Sequence, residues 1–204
     1  MVIVLSSATT DIVLSFDLKI YKLYFMDIDM LVKVTSRAWS LNILALMHSG
    51  IPGRQAPLLS ASGASRTAFA PSLVHLVNLG LLERNPGHGH PLRPEYRLTS
   101  KGAEIAVIAE KIKTAVPGET QSAILRRAWT VPVLAVSRKP RYFSEIKTAL
   151  VSVTDRALSQ SLRQLQESRW VSREVDTTKN PPRPLYQAAN AGIDIGEAVN
   201  LSMS

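Results

Sequence analysis

The feature that most constrains the fold of this chain is a sequence motif that occurs twice. The segments SRAWSLNILAL (36–46) and RRAWTVPVLAV (126–136) both place a hydroxyl residue and an apolar run after Arg-Ala-Trp, ninety positions apart. The 204-residue chain has three Trp, so two in one shared phrase indicate duplication. A fixed internal period largely decides the architecture, because each repeat should form one copy of the same structural unit.

Further phrases keep the same register, so the duplication extends well beyond the tryptophans. The matching pairs are SLVHL (72–76) with SLRQL (161–165), LLER (81–84) with WVSR (170–173), and RPEYRLTSKG (93–102) with RPLYQAANAG (183–192). We therefore predict an extension at 1–33, a diverged first domain at 34–116 and a second domain at 117–204. The extension has mixed periodicity and matches neither repeat. It would form an added helix or strand used in dimer contacts, or it is dispensable if translation begins at Met26 or Met30.

The second repeat predicts three helices, a hairpin and a last helix. Pro132 suits the first turn of a helix, Ser144 is a candidate cap for the next, and Thr154 for the third. That third helix carries Leu158, Leu162 and Leu165 on one face. WVSREV and RPLYQA alternate as strands around the Pro-rich tip DTTKNPPRP, and a last helix follows at about 191–201.

The first repeat predicts the same order. Helices are expected at 39–48 and at about 56–62, and Ser65 is a candidate cap for a third helix with Phe69, Leu73 and Leu76 turned inward. LLER and RPEYRL are strands around the tip NPGHGHPL, and the helix SKGAEIAVIAEKIKTAV leads into the second repeat. The predicted fold class is mainly α with small β-hairpins (α+β), built as two tandem winged helix-turn-helix domains.

The net charge and the composition limit the classes of function that the chain can have. The net charge is +8; residues 34–115 carry nine Lys or Arg against four acids, and residues 120–187 carry twelve against five. Basic charge concentrated in folded repeats is typical of a polyanion partner, and otherwise serves solubility. The lack of cysteine excludes disulfides and thiol chemistry. No apolar run is long enough for a membrane span and the N-terminus is a poor signal peptide, so we expect a cytoplasmic protein.

The second repeat resembles the HxlR family of bacterial winged-helix transcriptional regulators, relatives of the MarR group. The resemblance rests on Trp129, RYFSEI (141–146), LSQSLRQLQESRWVSREV (158–175) and PPRPLY (181–186). The first repeat keeps the Trp39 phrase, SLVHLVNLGLLER and EYRLTSKG but lacks an Arg-Phe-Ser-Glu phrase. The resemblance implies a regulator that binds double-stranded DNA. Many relatives carry an N-terminal cysteine, which in some of them senses oxidation and which this chain lacks, and relatives usually dimerise with one domain each. Two fused domains allow a homodimer or an intramolecular pseudo-dimer.

Side chains suited to DNA gather on the third helices, on the wings and before the second helix. Arg and Gln hydrogen-bond to guanine and adenine edges in the major groove, while basic wing residues contact phosphates. Pro71 lies inside the third helix of the first repeat, so that unit would bind DNA loosely or serve mainly in dimerisation, and its basic residues favour a DNA contact. The predicted DNA-binding residues are Arg141, Thr154, Arg156, Ser159, Gln160, Arg163, Gln164, Arg173, Lys179, Arg183, Ser65, Arg66, Thr67 and Arg93.

Other site chemistries find little support in the sequence. His88 and His90 form a His-X-His pair, which is a weak metal signal, and a Gly- and Pro-rich wing tip accounts for it. No phosphate-binding loop, nucleophile elbow or carboxylate pair stands out, so we expect neither catalysis nor a cofactor. An effector between the domains remains open, although no residue cluster marks a pocket. The alternative function is a tandem winged-helix protein–protein interaction module of a chromosome-associated complex, against which the charge argues.

Overall fold

The computed structural model of the protein describes residues 26–88, 93–116 and 118–199. Most of the predicted extension (1–25), His90 in the first wing tip and the end of the predicted last helix (200–201) lie outside the described residues. The side chains of residues 86–88 and of Arg93 lie outside them as well.

The first repeat contains five helices and one hairpin within the described residues. They are α1 (Ile28–Thr35), α2 (Ser40–His48), α3 (Gln55–Ser62), α4 (Arg66–Asn78), β1 (Leu82–His88), β2 (Arg93–Leu98) and α5 (Ser100–Thr114).

The second repeat follows the same order and adds a short strand. Its elements are α6 (Glu119–Leu125), α7 (Thr130–Val136), β3 (Arg141–Tyr142), α8 (Phe143–Leu150), α9 (Asp155–Glu167), β4 (Val171–Asp176), β5 (Arg183–Ala188) and α10 (Ala191–Val199). Helix, helix, turn, helix and hairpin recur in both halves, which confirms the α+β tandem winged-helix fold.

The third helices begin and pack in the same way in both repeats. The Ser65 hydroxyl accepts a hydrogen bond from the Ala68 N–H (3.3 Å), and the Thr154 hydroxyl accepts one from the Ala157 N–H (3.2 Å). Each cap satisfies a backbone donor that the first helical turn leaves unpaired. The inward stripes predicted from the sequence are buried in both helices: Phe69, Leu73 and Leu76 in α4, and Leu158, Leu162 and Leu165 in α9.

One glycine in each repeat lets the last helix approach the start of the hairpin. A Cβ at Gly102 would collide with the backbone carbonyl oxygen of Leu81, and a Cβ at Gly192 with that of Trp170. A colliding backbone atom cannot rotate away as a side chain can. The matching glycines in TSKG and ANAG are therefore a packing requirement shared by both repeats.

The second repeat holds a three-stranded sheet in the order β3-β5-β4, where the sequence predicted a two-stranded hairpin. Arg141 pairs with Tyr186 and Tyr142 with Leu185. The first repeat has only a trace of the same pairing: the Tyr96 N–H donates to the Gly53 carbonyl (2.6 Å), and Arg54 forms an isolated bridge with Glu95. A two-residue strand has too little alternation to be visible in sequence.

Three further predictions are corrected. Ser144 does not cap α8, because that helix begins at Phe143 and the Glu145 carboxylate instead accepts from the Tyr142 N–H (2.7 Å). The stretch 121–150 holds three helices rather than two, since α6 and α7 are separate. The first wing tip is shorter than predicted, because β1 continues through an irregularity to His88.

The two repeats share one continuous apolar core. Helix α5 of the first repeat packs on α10 of the second, and α1 packs across onto α7 and α8. Leu31 and Val34 of α1 are completely buried. Helix α1 precedes α2 as α6 precedes α7, so the likeness of the repeats extends upstream of residue 34. The three domain boundaries remain predictions.

Candidate nucleic-acid interface

Helix α9 separates an apolar face from a polar face. Its three leucines lie against the domain, and four of the five predicted base-reading side chains are exposed; Gln164 is half-buried. The exposed members are Arg156, Ser159, Gln160 and Arg163. A helix held by one buried stripe presents its other face outward as a rigid surface, as an insertion into the major groove requires.

The two arginines of α9 are not engaged in ion pairs with other described residues. Asp155, the acid next to Arg156, instead accepts from the Lys147 ammonium of α8 (2.6 Å), and Glu167, four positions after Arg163, forms no ion pair with it among the described residues. This exposed pair contributes little stability. The pair neutralises the charge of the carboxylate at the start of α9. The guanidinium donors of Arg156 and Arg163 therefore stay available.

The turn between α8 and α9 has an unusual backbone. Val151 lies in the positive-φ region (φ 49°) and its side chain is 78% exposed. A β-branched residue avoids this region because its Cβ clashes with the backbone. The first repeat places Gly63 (φ 66°) at the matching turn. The second repeat therefore carries a strained, exposed apolar side chain beside the helix that would face DNA.

The second wing presents three exposed cations and is tied at its base. Arg173, Lys179 and Arg183 are exposed along β4, the tip and β5. The Asp176 carboxylate accepts from the Tyr142 hydroxyl (2.5 Å), from the Thr178 hydroxyl (2.6 Å) and from the Thr178 N–H (2.9 Å). The bond from Tyr142 joins the wing to β3 at the start of α8, while the two from Thr178 lie within the wing itself.

The hydrogen bonds at the wing base shift two pKa values in opposite directions. Those from the Thr178 hydroxyl, and then from Tyr142, lower the pKa of Asp176 by stabilising its carboxylate. Donation to that carboxylate raises the pKa of Tyr142 above its usual value, because ionisation would remove the bond. Near neutral pH both groups therefore hold the protonation states that the clamp needs.

The remaining predicted DNA-contacting residues of the second repeat are either half-buried or already hydrogen-bonded. Arg141 lies just before the second helix, as predicted, but it is half-buried in β3. Thr154 is exposed and occupied as the cap of α9. Arg141 thus lies just before α8 and Thr154 at the start of α9, both positions from which a phosphate contact would orient the domain without reading bases.

The first repeat is poorer in side chains that could read bases. Ser65, Arg66 and Thr67 are exposed at the start of α4, while the side chain of Arg93 on β2 lies outside the described residues. Pro71 lies inside α4, on the side of the helix that is exposed to solvent. His75 is turned to α1, where its Nε2 lies 2.8 Å from the Lys33 carbonyl oxygen. The sequence did not predict this contact, because the two residues are 42 positions apart.

Metal and membrane sites find no support in the described part of the chain. No cluster of three or more His, Asp or Glu side chains there could hold a metal ion. Across the same ranges, every helix is too short or too polar to traverse a bilayer. Trp39 and Trp129 pack partly buried against the core, as expected of anchors, and Trp39 also stacks under the Arg126 guanidinium, 4.7 Å from its ring centroid.

Comparison with known proteins gives one family match, which occurs once in each repeat. No curated protein and no solved structure matches the chain. A family model described as HxlR-like helix-turn-helix matches residues 34–121 and, separately, residues 124–203. The two matches cover most of the chain and support a DNA-binding transcription regulator. The chain therefore belongs to the HxlR-like helix-turn-helix family, with two copies of the family's domain in one polypeptide.

Proposed function

We propose that this regulator reads DNA chiefly with its second repeat, through α9 in the major groove and the wing on the phosphate backbone. The observation that carries the proposal is the exposed face of α9, where two arginines outside described ion pairs stand beside Ser159 and Gln160. Arginine donates bidentately to guanine and glutamine to adenine, so this face has the groups that major-groove reading needs.

The charges around α9 favour the same orientation. Arg173, Lys179 and Arg183 are exposed on the neighbouring wing. Contacts from these residues to phosphates would raise affinity for any duplex and make binding strongly salt-dependent. The Asp176 clamp would hold the wing in place, which lowers the entropy lost when the wing meets the backbone.

The first repeat would add a weaker contact. Ser65, Arg66 and Thr67 at the start of α4 can reach a phosphate, and Arg93 would act similarly from the first wing. Because both repeats lie in one chain and share one core, a single molecule would present two helices with no second subunit. We expect such an intramolecular pseudo-dimer to bind DNA as one chain.

The proposal predicts separate effects for a reading residue and a phosphate-contacting residue. Replacing Arg163 by Ala should cost about 1–3 kcal/mol of binding to the preferred duplex and relax the base preference. Replacing Lys179 by Ala should weaken all duplexes similarly and reduce the salt slope by about one. Fluorescence anisotropy at two salt concentrations, on the gene's own upstream DNA and on a scrambled duplex, measures both.

The matched control is Val74→Ala, because Val74 is the counterpart of Arg163 on α4. It should change neither affinity nor preference. Arg66→Ala tests the first repeat: a loss equal to that of Arg163→Ala would mean that both repeats read bases. Equal, weak binding of the native protein to both duplexes would contradict sequence-specific recognition. A protein complex that persists at high salt, without DNA affinity, would favour the interaction-module alternative.

A further inference from the structure

A cleft of about 460 Å³ lies at the junction of the two repeats. The first repeat supplies three of its walls, from the start of α2, the end of α3 and the end of α5. The second repeat supplies the fourth wall with α6. The volume falls within the roughly 300–1,000 Å³ of small-molecule sites, which occur preferentially where domains meet.

The symmetry of the repeats shows why this cleft exists. In the other half, α1 packs onto α7 and α8 and completely buries Leu31 and Val34. Aligning SRAW with RRAW makes α6 the counterpart of α1, and places Gln121 opposite Leu31 and Ser122 opposite Val32. Helix α6 buries none of its residues. The groove that α1 fills in one half thus stays open in the other, because α6 has polar Gln121 and Ser122 where α1 has Leu31 and Val32, and its apolar Ile124 and Leu125 are only partly buried.

The walls combine apolar surface with one aromatic platform. Leu41, Ile112 and Leu125 line the cleft together with Trp39. The Arg126 guanidinium lies over the Trp39 ring, 4.7 Å from its centroid. A planar guanidinium beside an aromatic face offers a stacking surface and, at its edge, a fork of N–H donors for a carboxylate.

The charge of the lining favours an anion. Lys113 and Arg126 face the cleft with one carboxylate, Glu119. Neither cation takes part in an ion pair with the residues that the structure describes, since the pairs found there are His48–Glu110, Arg97–Glu95 and Lys147–Asp155. An incoming carboxylate could therefore pair with Arg126 without breaking a described ion pair.

We propose that this cleft binds a small aromatic carboxylate, with the ring between the apolar walls and Trp39 and the carboxylate on Arg126 and Lys113. Residues of both repeats would touch the same ligand. Occupancy would thus favour one arrangement of the repeats over others and so set the spacing of α4 and α9. This regulatory consequence rests on the proposed function, whereas binding of the carboxylate does not.

Titration of the full-length protein with 2-naphthoate, with the isosteric neutral 2-naphthamide as reference, tests the site without DNA. Isothermal calorimetry reports affinity, and the part of the Trp fluorescence quenching that is lost in Trp39→Phe reports proximity to Trp39, since the chain has three Trp. Naphthoate should bind more tightly than naphthamide by about tenfold, and Arg126→Gln should remove that difference. Arg127→Gln is the matched control, since Arg127 is exposed next to Arg126 outside the cleft. It should bind naphthoate as the native protein does.

A second variant closes the cleft and keeps the charges. The double substitution Ser122→Leu, Leu125→Phe enlarges two side chains that line the cleft and leaves its charges unaltered, so it should weaken both probes while the protein stays folded by circular dichroism. Equal binding of the two probes, or naphthoate binding that survives both Arg126→Gln and the double substitution, would overturn the site. Binding that emerges only after residues 1–25 are removed would assign the cleft to that segment and overturn it too.

The regulatory consequence has a separate readout. Saturating 2-naphthoate should change the Kd for the preferred duplex by about fivefold or more in the native protein and leave it unchanged in Arg126→Gln. Naphthoate binding at the cleft with an unaltered Kd would refute the regulatory role and leave the site standing. Should the protein bind no DNA, the proposed function fails while the DNA-free titration still decides the site.

Discussion

The third helices of the two repeats are alike where they face the core and different where they face solvent. The buried positions are Phe69, Leu73 and Leu76 in α4 and Leu158, Leu162 and Leu165 in α9. On this register, the outer positions Arg156, Ser159, Gln160, Arg163 and Gln164 of α9 correspond to Thr67, Ala70, Pro71, Val74 and His75 of α4. Every position with a predicted base-reading side chain in α9 has a smaller, apolar or otherwise engaged counterpart in α4, including Thr67, whose hydroxyl is hydrogen-bonded to that of Ser65.

This difference separates what the fold requires from what reading DNA requires. The inward stripe, the hydroxyl cap and the glycine of the last helix recur in both repeats because each supports packing or backbone hydrogen bonding. The outer face of α4 could change because the buried stripe does not depend on it, although His75 on that face contacts α1. Function therefore has to be argued from that face and not from the fold.

The shared part of the comparison predicts the largest effect. Gly192→Ala and Gly102→Ala should each lower the free energy of unfolding by about 3 kcal/mol, because the added Cβ meets a backbone carbonyl that side-chain rotation cannot move. Denaturant unfolding followed by circular dichroism measures the loss. Similar losses in both repeats would strengthen the view that one packing rule governs both.

The matched control for these glycines is Gly118→Ala. A Cβ there would meet only the Gln121 Oε1, at 3.7 Å, and its φ of −86° suits any residue. We expect a change within about 0.5 kcal/mol. If Gly102→Ala proved as mild as the control, the first repeat would have relaxed around its last helix, and the likeness of the cores would be superficial.

How far the sequence predicted this structure depended on the range of the interactions. Thr154, Ser65 and the leucine stripes were predictable, because capping and helical periodicity are local. The strand at Arg141 was not, since it exists only through pairing with Tyr186. The left-handed backbone at Val151 and Arg169 was not predictable either, because these residue types normally avoid it and only the surrounding turn imposes it.

The site was predicted less completely than the fold. Exposure of Arg156 and Arg163 followed from the helix pattern, but the clamp joining Tyr142 to Asp176 spans 34 positions and depends on the sheet. The sequence analysis did not predict the cleft between the repeats, because the cleft results from polar side chains of α6, Gln121 and Ser122, where α1 has Leu31 and Val32. Comparing α6 with α1 in the register of the Arg-Ala-Trp phrases would have found that signal.

Substitutions in the turn before the third helix should change the stability by a smaller amount, with opposite signs in the two repeats. Val151→Gly should stabilise the protein by about 1 kcal/mol, because relief of about 1–2 kcal/mol of left-handed strain exceeds the added entropy of an unfolded glycine. Gly63→Val should destabilise it by a similar amount. Thermal unfolding measures both changes. If Val151→Gly stabilised the fold yet weakened DNA binding, the strained side chain would belong to the DNA interface.

The smallest expected effect comes from the wing clamp and concerns pH. The Thr178 hydroxyl, and then Tyr142, hold the pKa of Asp176 below its unfolded value. The clamp's contribution is therefore fully present above the usual carboxyl range and is lost as the pH falls through the lowered, folded pKa. Because Asp176 is only half-buried and its bonds are screened by solvent, overall stability should change little. The Thr178 amide resonance should nevertheless titrate in acid and shift at neutral pH in Asp176→Asn, while Glu174→Gln, which changes the carboxylate two residues earlier on β4, leaves it in place. An unchanged Thr178 resonance in Asp176→Asn would show that the second wing needs no clamp.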